Sequence, residues 1–423
     1  MTVTPPTAEL RRGWPVILAC GIGVGLGNTG LAFYSMTLFI TPLMHAFGWN
    51  RAELSGASFC LLIGTIVTSP FVGRLIDRFG AMRVAMFSML ANAIGFAGLS
   101  YTAGSLTQFY ACWLFISFLG TGTTPVIWSR TVTLWFRRHL GLALAITLCG
   151  TGVVAMLAPS LINHIMSEYG WRAAYRCMAA VIVVIGMPLV YLLLRRKIDA
   201  VRPFDVLAVT SDAAAAPQSL HINGTASLAL AMRTPTFWRM AVGIALASAV
   251  IAGLAVHIVP MMIDTGLSRS EAAGRMGMLG VAIIVGRLSI GALLDRASPR
   301  LVSFCALVLP GLSCLLMAGH VSAEACVIVL GLAAGSEVDL LAFMVRRYFG
   351  IPAYAAIYGS LISCFSVGAS VGPLIAGHLR DVNGNYSAVL YAGALAALIG
   401  ASLFGTLTGA SETRAVETSM KSY

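Results

Sequence analysis

The sequence GRLIDR at residues 73–78 is repeated as GALLDR at residues 291–296, with glycine, leucine, aspartate and arginine at the same places in both copies. Further matched pairs extend the repeat in both directions: Arg51 with Arg269, Glu53 with Glu271, Pro159 with Pro373, and Gly170 with Gly384. A nearly constant offset over this length indicates that the chain consists of two copies of one unit with the same topology.

The composition places both copies in a membrane. Of the 423 residues, 58% are hydrophobic and 10% are charged, whereas soluble proteins carry about 25% charged residues. The net charge of +11 does not indicate nucleic-acid binding, because the basic residues are scattered between long apolar runs. The nine cysteines show no spacing typical of metal sites, so we expect no disulfide, metal or cofactor.

Apolar runs of about 20 residues, long enough to cross a bilayer, occur twelve times. The predicted fold is an all-α membrane protein with twelve transmembrane helices in two pseudo-symmetric six-helix halves. We assign residues 1–194 to the N-terminal half, 195–239 to a cytoplasmic linker, and 240–423 to the C-terminal half and its tail. The predicted spans are approximately 14–44, 54–72, 84–103, 107–134, 140–165, 177–194, 240–263, 276–294, 301–319, 325–345, 351–379 and 386–408.

The distribution of Lys and Arg orients these spans. If the N-terminus is inside, 19 of the 27 basic residues fall on the inside and 6 on the outside, and Arg130 and Arg287 lie within spans. Basic residues are enriched in cytoplasmic loops. Both termini are therefore predicted to be cytoplasmic, and we expect a monomer in the cell inner membrane.

Parallel repeats are typical of transporters that bind substrate between their two halves. The sequence GRLIDRFGAMR at residues 73–83 resembles the cytoplasmic loop signature of the major facilitator superfamily. The segments FGWNRAE (47–53), WFRR (135–138) and HIVP (257–260) resemble the branch of monocarboxylate porters and oxalate–formate-type antiporters. The resemblance implies transport by alternating access.

The same resemblance implies a conformational latch on the cytoplasmic side, formed by the loop signature and its second copy. The alternative is that the loop arginines only determine topology; both roles can hold together. The candidate latch residues are Gly73, Asp77, Arg78, Arg83, Asp295 and Arg296.

Four charged residues lie inside the apolar spans: Arg130, Arg287, Glu337 and Asp339. Each costs about 2.5–3.5 kcal/mol at the centre of a span, so we expect them to face a cavity or one another. Arg287 aligns with an arginine that, by the resemblance, binds the substrate carboxylate, and its fork of donors suits that role. Snorkelling to the nearby cytoplasmic surface is the alternative for Arg287. Arg130 is a second carboxylate anchor, a gate partner or a snorkelling residue.

Glu337 and Asp339 point about 200° apart on a helix, so only one can face the cavity directly. A carboxyl group in a low-dielectric cavity takes up a proton more readily than in water. One of the two acids is therefore the candidate proton carrier, and a static gate is the alternative. The resemblance is incomplete, because Ile283 stands where animal monocarboxylate porters have an aspartate implicated in proton coupling. Span eleven also lacks the lysine that oxalate exchangers use.

Four uncharged polar residues are further candidates for the substrate site. His257 in span seven is either a hydrogen-bonded structural residue or a proton relay. Asn28 and Tyr34 in span one and Tyr358 in span eleven either bond the substrate or join helices.

Together these features predict a secondary active transporter of a small organic anion, with a monocarboxylate as the first choice and proton coupling left open. The expected partners are the substrate, the lipid bilayer and protons. The alternatives are a broad-specificity efflux transporter of amphipathic compounds and a transporter-derived membrane sensor. We expect no enzyme, because the sequence has no P-loop, nucleophile elbow or domain large enough for catalysis.

Overall fold

The computed structural model of the chain describes residues 6–198, 228–264, 266, 269–319, 321–351 and 354–407. In this part, 11 helical stretches are long and apolar enough to cross a membrane. One of them, Leu140–Arg195, has 56 residues and is kinked at Gly170, which is non-helical with φ 79° and ψ 167°. A straight helix of that length would extend about 84 Å, far beyond a bilayer core of about 30 Å. This stretch therefore contains spans five and six, and the predicted all-α, twelve-span fold is confirmed.

The helices have the following bounds. Span one consists of Pro6–Gly25, Asn28–Ala32, Phe33–Ser35, Met36–Phe39 and Ile40–Phe47, span two of Arg51–Phe79, span three of Ala81–Ser100, and span four of Leu106–Gly120, Thr121–Thr123 and Pro125–Trp135. Spans five and six comprise Leu140–Ala180, Val181–Gly186 and Met187–Ile198. Spans seven to twelve are Pro235–Asp264, Arg269–Arg296, Pro299–Ala318, Ala323–Phe349, Tyr354–Asn383 and Ser387–Gly405.

The predicted linker at 195–239 lies mostly outside the described residues. Its described end contains the short helix Leu228–Ala231 and the start of span seven at Pro235. The C-terminal tail from residue 408 also lies outside the described residues.

The repeat is visible in the backbone as well as in the sequence. Gly48 and Gly266, at matched positions after the first span of each half, have φ of 72° and 96°. Gly170 and Gly384, the pair matched in the sequence, have φ of 79° and 72°. Glycine adopts positive φ without a steric cost. The two copies therefore use the same turns between corresponding helices.

Spans one and four are interrupted. Span one continues after Gly25 through a π-helical segment, Asn28–Ala32, and span four passes through a 3₁₀ turn, Thr121–Thr123. Pro125 begins the second half of span four, at a helix position where its missing N–H costs no hydrogen bond. A proline within a span predicts a kink, so Pro125 predicts the interruption of span four, whereas the sequence does not predict the interruption of span one after Gly25.

The chain divides into two compact units that correspond broadly to the two repeats. The first unit contains Met1–Arg138 and Ile146–Arg202, and the second contains His139–Ala145 and Pro203–Tyr423. In both units, large apolar side chains such as Phe59 and Leu374 are exposed. Exposed side chains of this kind suit a surface that faces lipid.

Small residues allow spans eight and ten of the second unit to approach closely. A Cβ atom at Gly335 would overlap the carbonyl oxygen of Ile283 and would lie 3.0 Å from the backbone nitrogen of Arg287. A Cβ at Gly331 would lie 2.5 Å from the side chain of Ala282. Such small-residue contacts are a common way to bring transmembrane helices together.

We predict that Gly335→Ala lowers the stability of the protein by about 1–3 kcal/mol, because the added methyl group overpacks the contact between spans eight and ten. The matched control is Gly280→Ala in span eight, where a Cβ atom meets nothing within 4 Å. Thermal unfolding in detergent should show a lower midpoint for Gly335→Ala than for the control. Equal midpoints would contradict the close approach.

Candidate functional site

An ion pair joins spans eight and ten. Nη1 of Arg287 donates a hydrogen bond to Oδ1 of Asp339 at 3.2 Å. The side chain of Arg287 is 11% exposed, and that of Asp339 is 1% exposed. Arg287 stands about 14 Å from the end of its helix at Arg296, roughly half the thickness of a bilayer core. This depth and the ion pair favour a site residue over a snorkelling side chain.

Glu337 lies near the ion pair and has no hydrogen-bonded partner for one of its oxygens. Glu337 is 5% exposed, and its Oε2 has no hydrogen-bond partner among the described residues. The second oxygen of Asp339, Oδ2, also lacks such a partner there. Both acids interact electrostatically with Arg287. The sequence left open which acid is the direct partner of the arginine; in the structure it is Asp339.

Tyr358 of span eleven contacts span ten at the level of the two acids. Its hydroxyl donates a hydrogen bond to the backbone carbonyl of Val338 at 3.3 Å, and Val338 stands between Glu337 and Asp339. The ring of Tyr354 stacks on that of Tyr358, with centroids 5.5 Å apart. Both tyrosines are fully buried. The sequence predicts Tyr358 as a site residue but not Tyr354, although their spacing of four residues places both on one helix face.

Arg287, Asp339, Glu337 and Tyr358 form one group, which we call the Arg287 group. It contains one guanidinium, two carboxyl groups and one hydroxyl. A guanidinium offers more donors than Asp339 occupies, and carboxyl groups can both accept hydrogen bonds and exchange protons. The group can therefore bind an anion and carry a proton.

His257 has partners outside this group. Its Nε2 lies 3.2 Å from the backbone oxygen of Pro373, and its Nδ1 lies 3.2 Å from the hydroxyl of Tyr386. A carbonyl oxygen only accepts hydrogen bonds, so this arrangement assigns the proton to Nε2 and leaves Nδ1 to accept from Tyr386. Both nitrogens are engaged, which favours the structural role for His257 over a proton relay.

Asn28 holds together the interrupted helices of the first unit. Its backbone N–H donates to Oγ1 of Thr123 at 3.0 Å, and its Nδ2 donates to the carbonyl of Ile116 at 3.2 Å. Asn92 of span three donates to the same Thr123 oxygen at 3.2 Å. Asn28 is 2% exposed and Asn92 is fully buried. The sequence missed Asn92 and Thr123, whose polar side chains compensate for the broken backbone pattern of spans one and four.

Tyr34 and Arg130 complete the predicted substrate residues of the first unit. Tyr34 is 36% exposed and packs edge-on against Phe33, with centroids 5.3 Å apart. Arg130 is half-buried in the second half of span four. Substrate binding by Asn28, Tyr34 and Arg130 stays a prediction.

Asp295, one of the predicted latch residues, caps a helix. Its Oδ1 accepts a hydrogen bond from the N–H of Gly141 at 2.7 Å, and its Oδ2 accepts one from the N–H of Leu142 at 3.0 Å. Both donors stand in the first turn of the helix that begins at Leu140, and they belong to the second unit with Asp295. A carboxylate at this position stabilises a helix N-terminus through its free N–H groups and dipole.

The remaining candidate latch residues are Gly73, Asp77, Arg78, Arg83 and Arg296. Gly73 is buried within span two, and the side chain of Asp77 lies outside the described set. Arg78, Arg83 and Arg296 are exposed, and the Arg78 guanidinium lies 5.3 Å from the centroid of the Phe79 ring. Exposure is compatible with both the topological role and the latch role of these arginines.

The part of the chain that the structure describes offers no group of three or more His, Cys, Asp or Glu side chains placed to hold a metal ion.

Comparison with known proteins places this geometry in a family. The sequence profile of the Major Facilitator Superfamily matches residues 17–336. Human monocarboxylate transporter 11 is 26% identical over 401 residues, which cover 91% of this chain and 81% of the relative. Bovine monocarboxylate transporter 13 is 24% identical over 404 residues, which cover 93% of this chain and 89% of the relative.

A solved structure shows the same fold. The crystal structure of the human organic anion transporter MFSD10 superposes with a TM-score of 0.69 at 16% sequence identity, covering 95% of this chain and 100% of that one. At this identity the likeness supports the fold alone. The family profile spans well over half of the sequence, and the chain therefore belongs to the Major Facilitator Superfamily.

Proposed function

We propose that this multi-pass membrane protein is a secondary active transporter that moves a small monocarboxylate together with a proton by alternating access. The observation that carries the proposal is the buried ion pair between Arg287 and Asp339, with Glu337 beside it. The relatives named monocarboxylate transporters support the substrate class.

The ion pair is not explained by stability. Removing two charges from water costs several kcal/mol, and exchanging a buried pair for apolar residues is often neutral or stabilising. A pair at 3.2 Å with exposures of 11% and 1% carries that cost. We infer that the charges serve substrate and proton binding.

In this proposal the charges of the Arg287 group link the binding of a carboxylate to the binding of a proton. The ionised pair of Arg287 and Asp339 has a net charge of zero. A carboxylate that binds Arg287 must displace Asp339 from its hydrogen bond, and an unpaired buried carboxylate is costly. A proton on Asp339 removes this cost. The proton and the substrate anion then enter as a neutral pair, and the net charge of Arg287, Asp339 and the bound substrate stays at zero.

The charge balance of the Arg287 group also favours a monocarboxylate over a dicarboxylate as substrate. Each carboxylate needs a compensating positive charge in a site of low dielectric, and the Arg287 group contains one cation. The two span-eleven residues at this level are Tyr354 and Tyr358, which bring no second positive charge. Within this group, a dianion would leave one carboxylate without a counter-charge.

In this proposal Asp339 takes the part that the resemblance assigned to an acid at position 283. Ile283 is apolar, and its carbonyl lies at the close contact with Gly335. In this proposal the acid that pairs with Arg287 is therefore on span ten and not on span eight. Asn28, Tyr34 and Arg130 of the first unit are further proposed substrate residues, and Asp295 is proposed to belong to the conformational latch.

We also propose that both termini are cytoplasmic, in the cell inner membrane. The support is the clustering of exposed arginines at the turns between spans two and three and between spans eight and nine, including Arg78, Arg83 and Arg296. Basic residues favour the cytoplasmic side.

We predict that Arg287→Ala lowers uptake of labelled monocarboxylates into proteoliposomes about 10- to 100-fold, because the carboxylate loses a charged hydrogen-bond donor. The control is Arg275→Ala. Arg275 pairs with Glu324 between the same two spans, but the two side chains are 26% and 40% exposed. Arg275→Ala should keep most of the uptake.

A double variant, Arg287→Met with Asp339→Leu, separates transport from folding. It removes both members of the ion pair together, so it should unfold at a temperature near that of the wild type while remaining inactive. Undiminished carboxylate uptake by Arg287→Ala would contradict the proposed site and would favour an efflux transporter of amphipathic compounds.

We predict that Asp339→Asn abolishes the response of uptake to an inward proton gradient but retains exchange of internal for external substrate, because the amide mimics the protonated acid permanently. The companion variant is Glu337→Gln, in which Asp339 still binds Arg287; its uptake should still respond to the gradient. The measurement compares net uptake with exchange in proteoliposomes at several external pH values. Wild-type uptake that does not depend on the proton gradient would contradict proton coupling.

A further inference from the structure

A crevice of about 450 Å³ lies between the start of span nine and the end of span twelve. Its walls include Ser298, Arg300, Leu301, Phe304, Gly405 and Thr406. One membrane-spanning helix begins here and another ends. The crevice is therefore at the level of the lipid headgroups, where the hydrocarbon core gives way to water.

The crevice carries positive charge. Nε of Arg300 donates a hydrogen bond to the hydroxyl of Tyr348 at 3.2 Å, and that hydroxyl donates to the carbonyl of Leu407 at 3.2 Å. Nη1 of Arg239 donates to the carbonyl of Thr406 at 3.1 Å, at the same end of span twelve. Among the described residues, neither arginine has an acidic partner within ion-pair distance. Two guanidinium groups are thus fixed beside the crevice, and no acidic side chain among the described residues pairs with them.

The rest of the crevice surface has unobstructed space at Gly405 and an apolar side chain at Leu301. Gly405 has no side chain, and a Cβ atom there would lie 3.1 Å from the Phe304 ring, so the glycine keeps the space free. Leu301 is 61% exposed on the outer side. Ser298 precedes span nine and makes no side-chain cap on that helix. The surface therefore offers polar donors next to an apolar face.

We propose that this crevice binds the phosphate group of an anionic phospholipid, with Arg300 as its main contact and Leu301 and Phe304 against the acyl chains. Guanidinium groups bind phosphate oxygens through paired hydrogen bonds, and basic pockets between transmembrane helices bind lipid headgroups. A soluble phosphate compound shares the charge but gains nothing from the apolar flank. The proposal does not depend on the transported substrate.

The test uses the full-length protein in detergent and measures binding of phosphatidylglycerol, phosphatidylcholine and inorganic phosphate by native mass spectrometry and by shifts of the melting temperature. We expect preferential binding of phosphatidylglycerol. Arg300→Gln should weaken that binding about fivefold, the effect of one basic residue near an anionic headgroup. The matched control is Arg347→Gln, because Arg347 is also exposed and has no acidic partner among the described residues. The control should bind like the wild type.

A second variant, Gly405→Val, fills the crevice while it keeps both arginines, and it should also weaken phosphatidylglycerol binding. Equal binding by wild type, Arg300→Gln and Gly405→Val would overturn the proposal. Equal stabilisation by inorganic phosphate and by phosphatidylglycerol would also overturn it, because the ligand would then be a soluble phosphate compound. Uptake assays on the same variants keep the two proposals apart, since loss of lipid binding leaves the Arg287 group intact.

Discussion

The buried hydrogen bond between Arg287 and Asp339 is the interaction on which the account of this transporter depends. In an apolar interior neither charge is tolerated alone, so each residue requires a partner at every moment. Glycine at position 335 brings the two helices close enough for that partnership. In the proposed mechanism, a substrate carboxylate replaces Asp339 only if a proton replaces the arginine as the partner of the acid. The proposed coupling of anion binding to proton binding has this electrostatic basis.

The two units differ in the kind of polar side chain that they bury. The second unit contains the charged Arg287 group, whereas the first unit buries an uncharged network of Asn28, Asn92 and Thr123 where spans one and four are interrupted. Neutral amides and hydroxyls satisfy broken backbone patterns at less cost than charges do. The two copies therefore share their helices and turns, but their buried polar side chains differ.

Much of this fold could be predicted from the sequence because its signals are strong and local. Apolar length defines spans, and the glycine pairs of the repeat define turns that the structure repeats at positive φ. The cost of charge in lipid identified Arg287, Glu337 and Asp339. The sequence could not decide which acid meets the arginine, because that depends on the rotation of span ten against span eight. The partners of His257 and the breaks near Asn28 likewise depend on contacts between distant segments.

The central claim is that a bound carboxylate brings one proton with it. Calorimetric titration of a transported monocarboxylate into the purified protein, repeated in buffers with different ionisation enthalpies, counts the protons exchanged with the buffer on binding. The account predicts net proton uptake on binding, which rises towards one proton for each bound carboxylate as the pH is raised and Asp339 becomes ionised in its pair with Arg287. Binding of the carboxylate with no proton uptake would contradict it.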